Sequence, residues 1–248
     1  MSDRIPVGIS SCLLGNAVRY DGGHCRDPHI TEILTEYFDF HPFCPEVAIG
    51  LGVPRPPIRL VDSGTGLRVL GVAEPQRDVS APLRRYAQEQ LASVQRLHGF
   101  IFKKNSPSCG IAANVHDPAG TPLRQAPGVF AAAVLQAFPQ LPIVEEEHLA
   151  DPVVRERFIE RVFIHHRWQT VVAPRLSMVG LRDFHHRLEP TLMRRDSVRA
   201  QHLAALVAAL CVDDLAQSAA DYFAQLMALL NEAGSEQAAA GAETFRSC

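Results

Sequence analysis

The chain has 248 residues, 47% of them hydrophobic and 21% charged, with a formal net charge of −3. Those are ordinary globular proportions, which exclude collagen-like, low-complexity and largely disordered chains. No apolar run approaches the ~18 residues of a membrane span, and the first residues, Met1-Ser-Asp-Arg-Ile-Pro6, lack the long apolar core of an export signal. The charge excludes a protein that coats nucleic acid by bulk charge alone.

In chain order, short apolar runs alternate with helical patterns through residue 150, the mark of an α/β unit. Ile5–Ser10 reads as a strand, Ile30–Tyr37 as a short helix and Phe38–Phe43 as a second strand. Two β-like runs in Pro57–Val72 flank Asp62-Ser-Gly-Thr-Gly-Leu67, a hairpin signal. Ser80–His98 is the clearest helix, with a Ser-Ala-Pro start expected to cap it and apolar residues at 3–4 spacing. Gly99–Lys103 reads as a third strand, Pro127–Phe138 as a helix and Pro142–Glu145 as a fourth strand. After Asp151-Pro152 the pattern turns wholly helical, with helices at Met178–Arg195, Val198–Leu210 and Asp214–Leu230. Asp151, Ser177, Asp196 and Asp213 are their candidate caps. The expectation is an α/β fold: an N-terminal, mostly parallel-sheet domain over residues 1–150 and a C-terminal all-α extension over 151–248. Its small, polar tail is expected to fray from about residue 232.

Charge is unevenly spread. From Arg155 to Arg199 there are ten arginines and four histidines against five acidic residues, whereas Ala200–Cys248 holds six acidic residues and one arginine. A solvated helix face or a polyanion-binding stripe would both produce this. The pairs His165-His166 and His185-His186 are helix-face residues, since neighbours on a helix point about 100° apart and form no i, i+4 chelate.

Six cysteines without an export signal suggest a reducing, cytoplasmic setting and free thiols, ligands or nucleophiles. Three of them follow strands: Cys12 in Ser10-Ser-Cys-Leu-Leu-Gly15, Cys44 in Phe43-Cys-Pro-Glu46, and Cys109 in Lys103-Lys-Asn-Ser-Pro-Ser-Cys-Gly110. In a parallel sheet the carboxyl ends of the strands share one edge, where ligands bind. Three chemistries suit such a trio. Zinc would need a fourth ligand, with His24, His41 or His116 as candidates; a thiol nucleophile would use one cysteine, such as Cys109; a [4Fe–4S] cluster on three cysteines would leave one iron open. Spacing does not choose among them. Glu46, two residues after Cys44, and Ser106, three before Cys109, are positioned to handle protons at any centre built there. Cys25, Cys211 and Cys248 receive no role.

The segments Cys12-Leu-Leu-Gly15, Arg19-Tyr-Asp-Gly22, Cys44-Pro-Glu46, Pro54-Arg-Pro56 and Lys103–Gly110 together resemble the thiouracil desulfurase (desulfidase) family over residues 5 to about 150. The resemblance implies an α/β enzyme with a [4Fe–4S] cluster on Cys12, Cys44 and Cys109 and proton handling by Glu46 and Ser106. Thiolated uracil or uridine would be its substrate, desulfurated without net redox chemistry to release sulfide and the oxo base. Arg157-Phe-Ile-Glu-Arg-Val-Phe163 and Asp183-Phe-His-His-Arg187 resemble the helical extension of tRNA 4-thiouridine desulfurases, which implies tRNA as a partner. Leu188-Glu-Pro190 departs from that pattern, where a lysine would follow. The contrasting expectation is a zinc-stabilised RNA-binding module without catalysis.

Overall fold

A computed structural model describes residues 4–64 and 66–231; the tail from 232 onward, with Cys248, lies outside the described residues. The chain divides between Arg155 and Glu156 into two compact units.

The first unit holds two four-stranded sheets. One has the order β2-β1-β5-β8 and is parallel throughout, built from β1 (Ile5–Ser10), β2 (Phe38–Phe43), β5 (Phe100–Phe102) and β8 (Ile143–Glu145). β1 is central, and Val7 and Ile9 are fully buried. Gly8 lets β5 come close, since a Cβ there would sit 2.4 Å from the Phe100 ring. Register pairs Ser10 with Phe43 and Phe102 with Glu145, so all four strands end at one edge. The other sheet, β4-β3-β6-β7, is mixed. β3 (Ile58–Asp62) and β4 (Leu67–Gly71) form the expected hairpin, while β6 (Ala113–His116) runs parallel to β3 and antiparallel to β7 (Pro122–Ala126).

The helix α1 (Pro45–Ala48) follows β2. α2 (Ser80–Val94) and α3 (Val129–Ala137) pack together over a core that includes Phe43, Phe100, Phe102 and Phe130. The expected cap at Ser80 is corrected. Val79 occupies the cap position, and the buried Ser80 hydroxyl accepts instead from the Val69 N–H at 2.7 Å, tying α2 to β4. The Ser80 N–H is met by Asp78 Oδ1 at 2.9 Å.

α4 (Pro152–Arg167) spans the division between the units, and the Asp151 carboxylate accepts from the Val153 N–H at its start. The second unit continues with α5 (Met178–Arg195), α6 (Ser197–Ala208) and α7 (Leu215–Asn231). Ser177 and Asp196 cap α5 and α6, accepting from Gly180 and Arg199. Asp213 does not cap α7: Asp214 stands immediately before it, its carbonyl accepting from the Ser218 N–H at 3.0 Å. The turn closes there, where Asp214 Oδ1 takes the Cys211 thiol at 2.7 Å. Trp168 anchors this core, its ring stacked on Phe223 at 4.4 Å between centroids. No helix among the described residues is long and apolar enough to cross a membrane.

Candidate active site

Three turns leave the parallel sheet at its carboxyl edge. After β1, Ser11–Leu14 form one 3₁₀ turn closed by Gly15 at φ +93°, a left-handed conformation that glycine adopts without a Cβ penalty. It holds Cys12, whose carbonyl accepts from the N–H groups of Gly15 and Cys25 at 3.3 and 2.9 Å. After β2, Cys44 leads into α1, whose Pro45 occupies a position that needs no N–H partner. Glu46 is in that first turn.

After β5, the loop Lys103–Gly110 folds back on itself. Ser106 Oγ accepts from the N–H groups of Ser108 and Cys109 at 3.3 and 3.1 Å, and the Gly110 N–H donates to the Ser106 carbonyl at 2.8 Å. The first turn of α3 secures this loop from behind. Its Val129 and Phe130 N–H groups donate to the carbonyls of Pro107 and Ser108 at 3.1 and 2.9 Å, satisfying donors that a helix start leaves unpaired.

The turns wall a cavity of about 370 Å³, and Cys12, Cys44, Glu46, Ser106 and Cys109 all line it. Cys109 and Cys12 are buried. Burial pushes the Cys12 thiol up to about 12, with the neighbouring Cys25 adding to the rise and Lys103 opposing it. Burial also raises Cys44. Cys109 stands well above the ordinary thiol value through burial and the nearby Glu46 carboxylate.

Two residues that lie in the segments carrying the resemblance, but to which the sequence assigned no role, hold Glu46. Arg55 donates from both Nε (3.0 Å) and Nη2 (2.8 Å) to Glu46 Oε2, with side chains only 4% and 14% exposed. The fully buried Ser108 donates its hydroxyl to Oε1 at 3.1 Å. Removing one partner of such a pair would leave an uncompensated buried charge, at about 3–5 kcal/mol. Arg19 and Tyr20 also line the cavity, the guanidinium lying 5.4 Å from the ring centroid. Lys103 lies on the wall too, but it is ion-paired to Glu146, both largely buried. Cys25 lies behind Cys12, its sulfur 3.1 Å from Arg19 Nη1 and off the cavity wall.

The donor set discriminates between metals. No histidine lines the cavity among the described residues. His41 is half exposed beside Asp39, and His116 bonds the Leu60 carbonyl in the second sheet. A structural zinc site takes four protein ligands, and the cavity wall offers three sulfurs with no imidazole to complete them. Three soft thiols on one wall without an imidazole fit an iron–sulfur cluster.

The chain is 34% identical over 109 residues to the uncharacterized protein YbbK of Bacillus subtilis (strain 168), covering 41% of this chain and 71% of that one. It is also similar to the solved structure of a [4Fe–4S]-dependent thiouracil desulfidase, TudS, at 28% identity and a TM-score of 0.47, over 62% of this chain and 97% of that one. Residues 7–147, which include the whole cavity wall, match the family model described as 2-thiouracil desulfurase. The chain belongs to the 2-thiouracil desulfurase family.

Proposed function

We propose that this enzyme removes sulfur from thiolated uracil with a [4Fe–4S] cluster held by Cys12, Cys44 and Cys109, and that its substrate is 4-thiouridine in tRNA. The observation that carries the reading is the convergence of these cysteines and Glu46 on one cavity wall. The cluster, when bound, supplies a Lewis-acidic iron with affinity for the thiocarbonyl sulfur.

The remaining work falls to the chain. Glu46 takes a proton from the attacking water, which forms the new C–O bond. Its Oε2 is already engaged twice by Arg55, so Oε1 is the oxygen with capacity to spare. Ser106 Oγ accepts two backbone N–H bonds, which orient its hydroxyl proton for transfer to the departing sulfur; the proton that Glu46 took from water replaces it, so both side chains end the cycle as they began it. Water enters, sulfide and the oxo base leave, and no electrons pass to an acceptor. Residues 1–150 carry this chemistry in the proposal and residues 151–248 carry the tRNA contacts. Supporting the second part, Arg175, Arg182, Arg187 and Arg194 are exposed and form no ion pair among the described residues.

The test is anaerobic purification with iron and acid-labile sulfide measured per chain, for wild type and Cys109→Ser, followed by sulfide release from 2-thiouracil, 4-thiouridine and thiolated tRNA. About four of each in the wild type, lost in the variant, are expected for a cubane cluster, with tRNA turned over fastest. Zinc or no metal in a folded sample would overturn the cluster. Equal turnover of free base and tRNA would overturn the tRNA assignment.

A further inference from the structure

The geometry points to Arg55 as the positioning residue that fixes the Glu46 carboxylate through Oε2 and leaves Oε1, which accepts one hydrogen bond from Ser108, as the oxygen that meets the water, an inference that rests on Glu46 being the base. The guanidinium is used in full. Nε and Nη2 both bind Glu46 Oε2, at 3.0 and 2.8 Å, while Nη1 binds the carbonyls of Val18 and Gly52 at 2.9 and 3.0 Å. Its own N–H donates to the Tyr20 carbonyl at 2.8 Å. One buried side chain thus joins the Val18–Tyr20 turn, the Glu46 carboxylate and the end of the loop that follows α1.

Only a planar fork makes this set of contacts. A lysine ammonium is a point charge and cannot bridge a carboxylate and two carbonyls in one plane. With Arg55 binding Oε2 and the Ser108 hydroxyl on Oε1, the carboxyl plane is fixed from both sides. Without the fork, Glu46 rotates on a flexible stem, and the oxygen that must meet the water is no longer held. Displacement of a reacting group by about 1 Å costs on the order of 10²-fold in rate. Val18 is also where the Cys44 thiol points, at 4.0 Å, so a role in the cysteine cradle must be separated from a role on Glu46.

The experiment compares Arg55→Lys, Arg55→Ala and Glu46→Gln with wild type, all purified and reconstituted without oxygen. Iron and sulfide per chain, visible absorption, kcat and KM for thiouracil are measured, with and without millimolar guanidinium. Positioning predicts wild-type cluster content in both Arg55 variants, kcat lower by about 10²-fold, little change in KM, and recovery of Arg55→Ala by added guanidinium. Arg55→Lys decides the matter if Arg55→Ala does not fold. Wild-type kcat in Arg55→Lys, or iron lost in step with activity, would overturn the inference. A fully active Glu46→Gln would instead overturn the role of Glu46 itself.

Discussion

Burial moves thiols and imidazoles in opposite directions, because it always disfavours the charged form. At Cys12 and Cys109 it keeps the sulfur protonated, so a metal centre has to displace those protons as it binds. At His185, in the helical unit, it lowers the imidazole below its ordinary 6.5, with Glu189 opposing and His186 adding to the fall. His185 Nδ1 bonds the Tyr222 hydroxyl at 3.1 Å and Nε2 is buried without a hydrogen-bond partner among the described residues. Below pH 6.5 the unfolded chain binds a proton that the folded chain resists, so stability is full above that pH and falls on acidification. His166 shifts the same way, through burial. Urea unfolding followed by Trp168, the sole tryptophan and part of this core, should show a lower midpoint at pH 5.5 than at pH 7.5. His185→Asn should flatten that difference, and equal midpoints in the wild type would contradict it.

Elements with apolar runs between clear breaks were legible in the sequence. β1 and β2 run over Ile5–Ser10 and Phe38–Phe43 as read, because one is central and the other short and bounded. β6 and β7 were not foreseen. Four of the five residues in β7 are exposed, so Pro122-Leu-Arg-Gln carries no inward face to give it a period; the Asp117-Pro-Ala-Gly120 turn before it was the available signal. Ser80 misled because a serine at a helix start is usually a cap, and only the tertiary contact with Val69 shows otherwise. The cavity residues were legible as types that follow strands. The partners of Glu46 were not, since Arg55 and Ser108 lie 9 and 62 residues away. Loop and helix are also interdependent in a way the sequence hides. A Cβ at Gly128 would lie 2.7–2.8 Å from the backbone of Pro107 and Ser108, which cannot yield as a side-chain tip would. Gly128→Ala should therefore push the Cys109 loop off α3, lowering stability by about 1–3 kcal/mol and iron content with it. Unchanged iron and an unchanged urea midpoint by circular dichroism would show that the loop tolerates the shift.

At the scale of the whole chain, chemistry and charge are divided. The cavity lies in the first unit, and the run with ten arginines against five acids lies almost wholly in the second. Some of those arginines are spent internally: Arg195 pairs with Glu160, Arg199 with Asp196 at 3.6 Å, and Arg161 bonds Asn231. Burial and the neighbouring Arg195 bring Arg161 down to about 10. Arg175, Arg182, Arg187 and Arg194 remain outward, and these are the charges a polyanion would meet. If each neutralises one phosphate and releases its counterion, the logarithm of tRNA affinity should fall against the logarithm of salt with a slope of about −3. Arg182→Ala and Arg187→Ala should each reduce the slope by about 1. Turnover of free 2-thiouracil depends on the cavity alone and should not respond to salt over the same range, nor to either substitution. Nitrocellulose or fluorescence titrations of tRNA at several salt concentrations, run beside that assay, separate the two units in one protein. A flat salt response with tRNA would mean that the arginine face serves some other end and that the small base is the substrate.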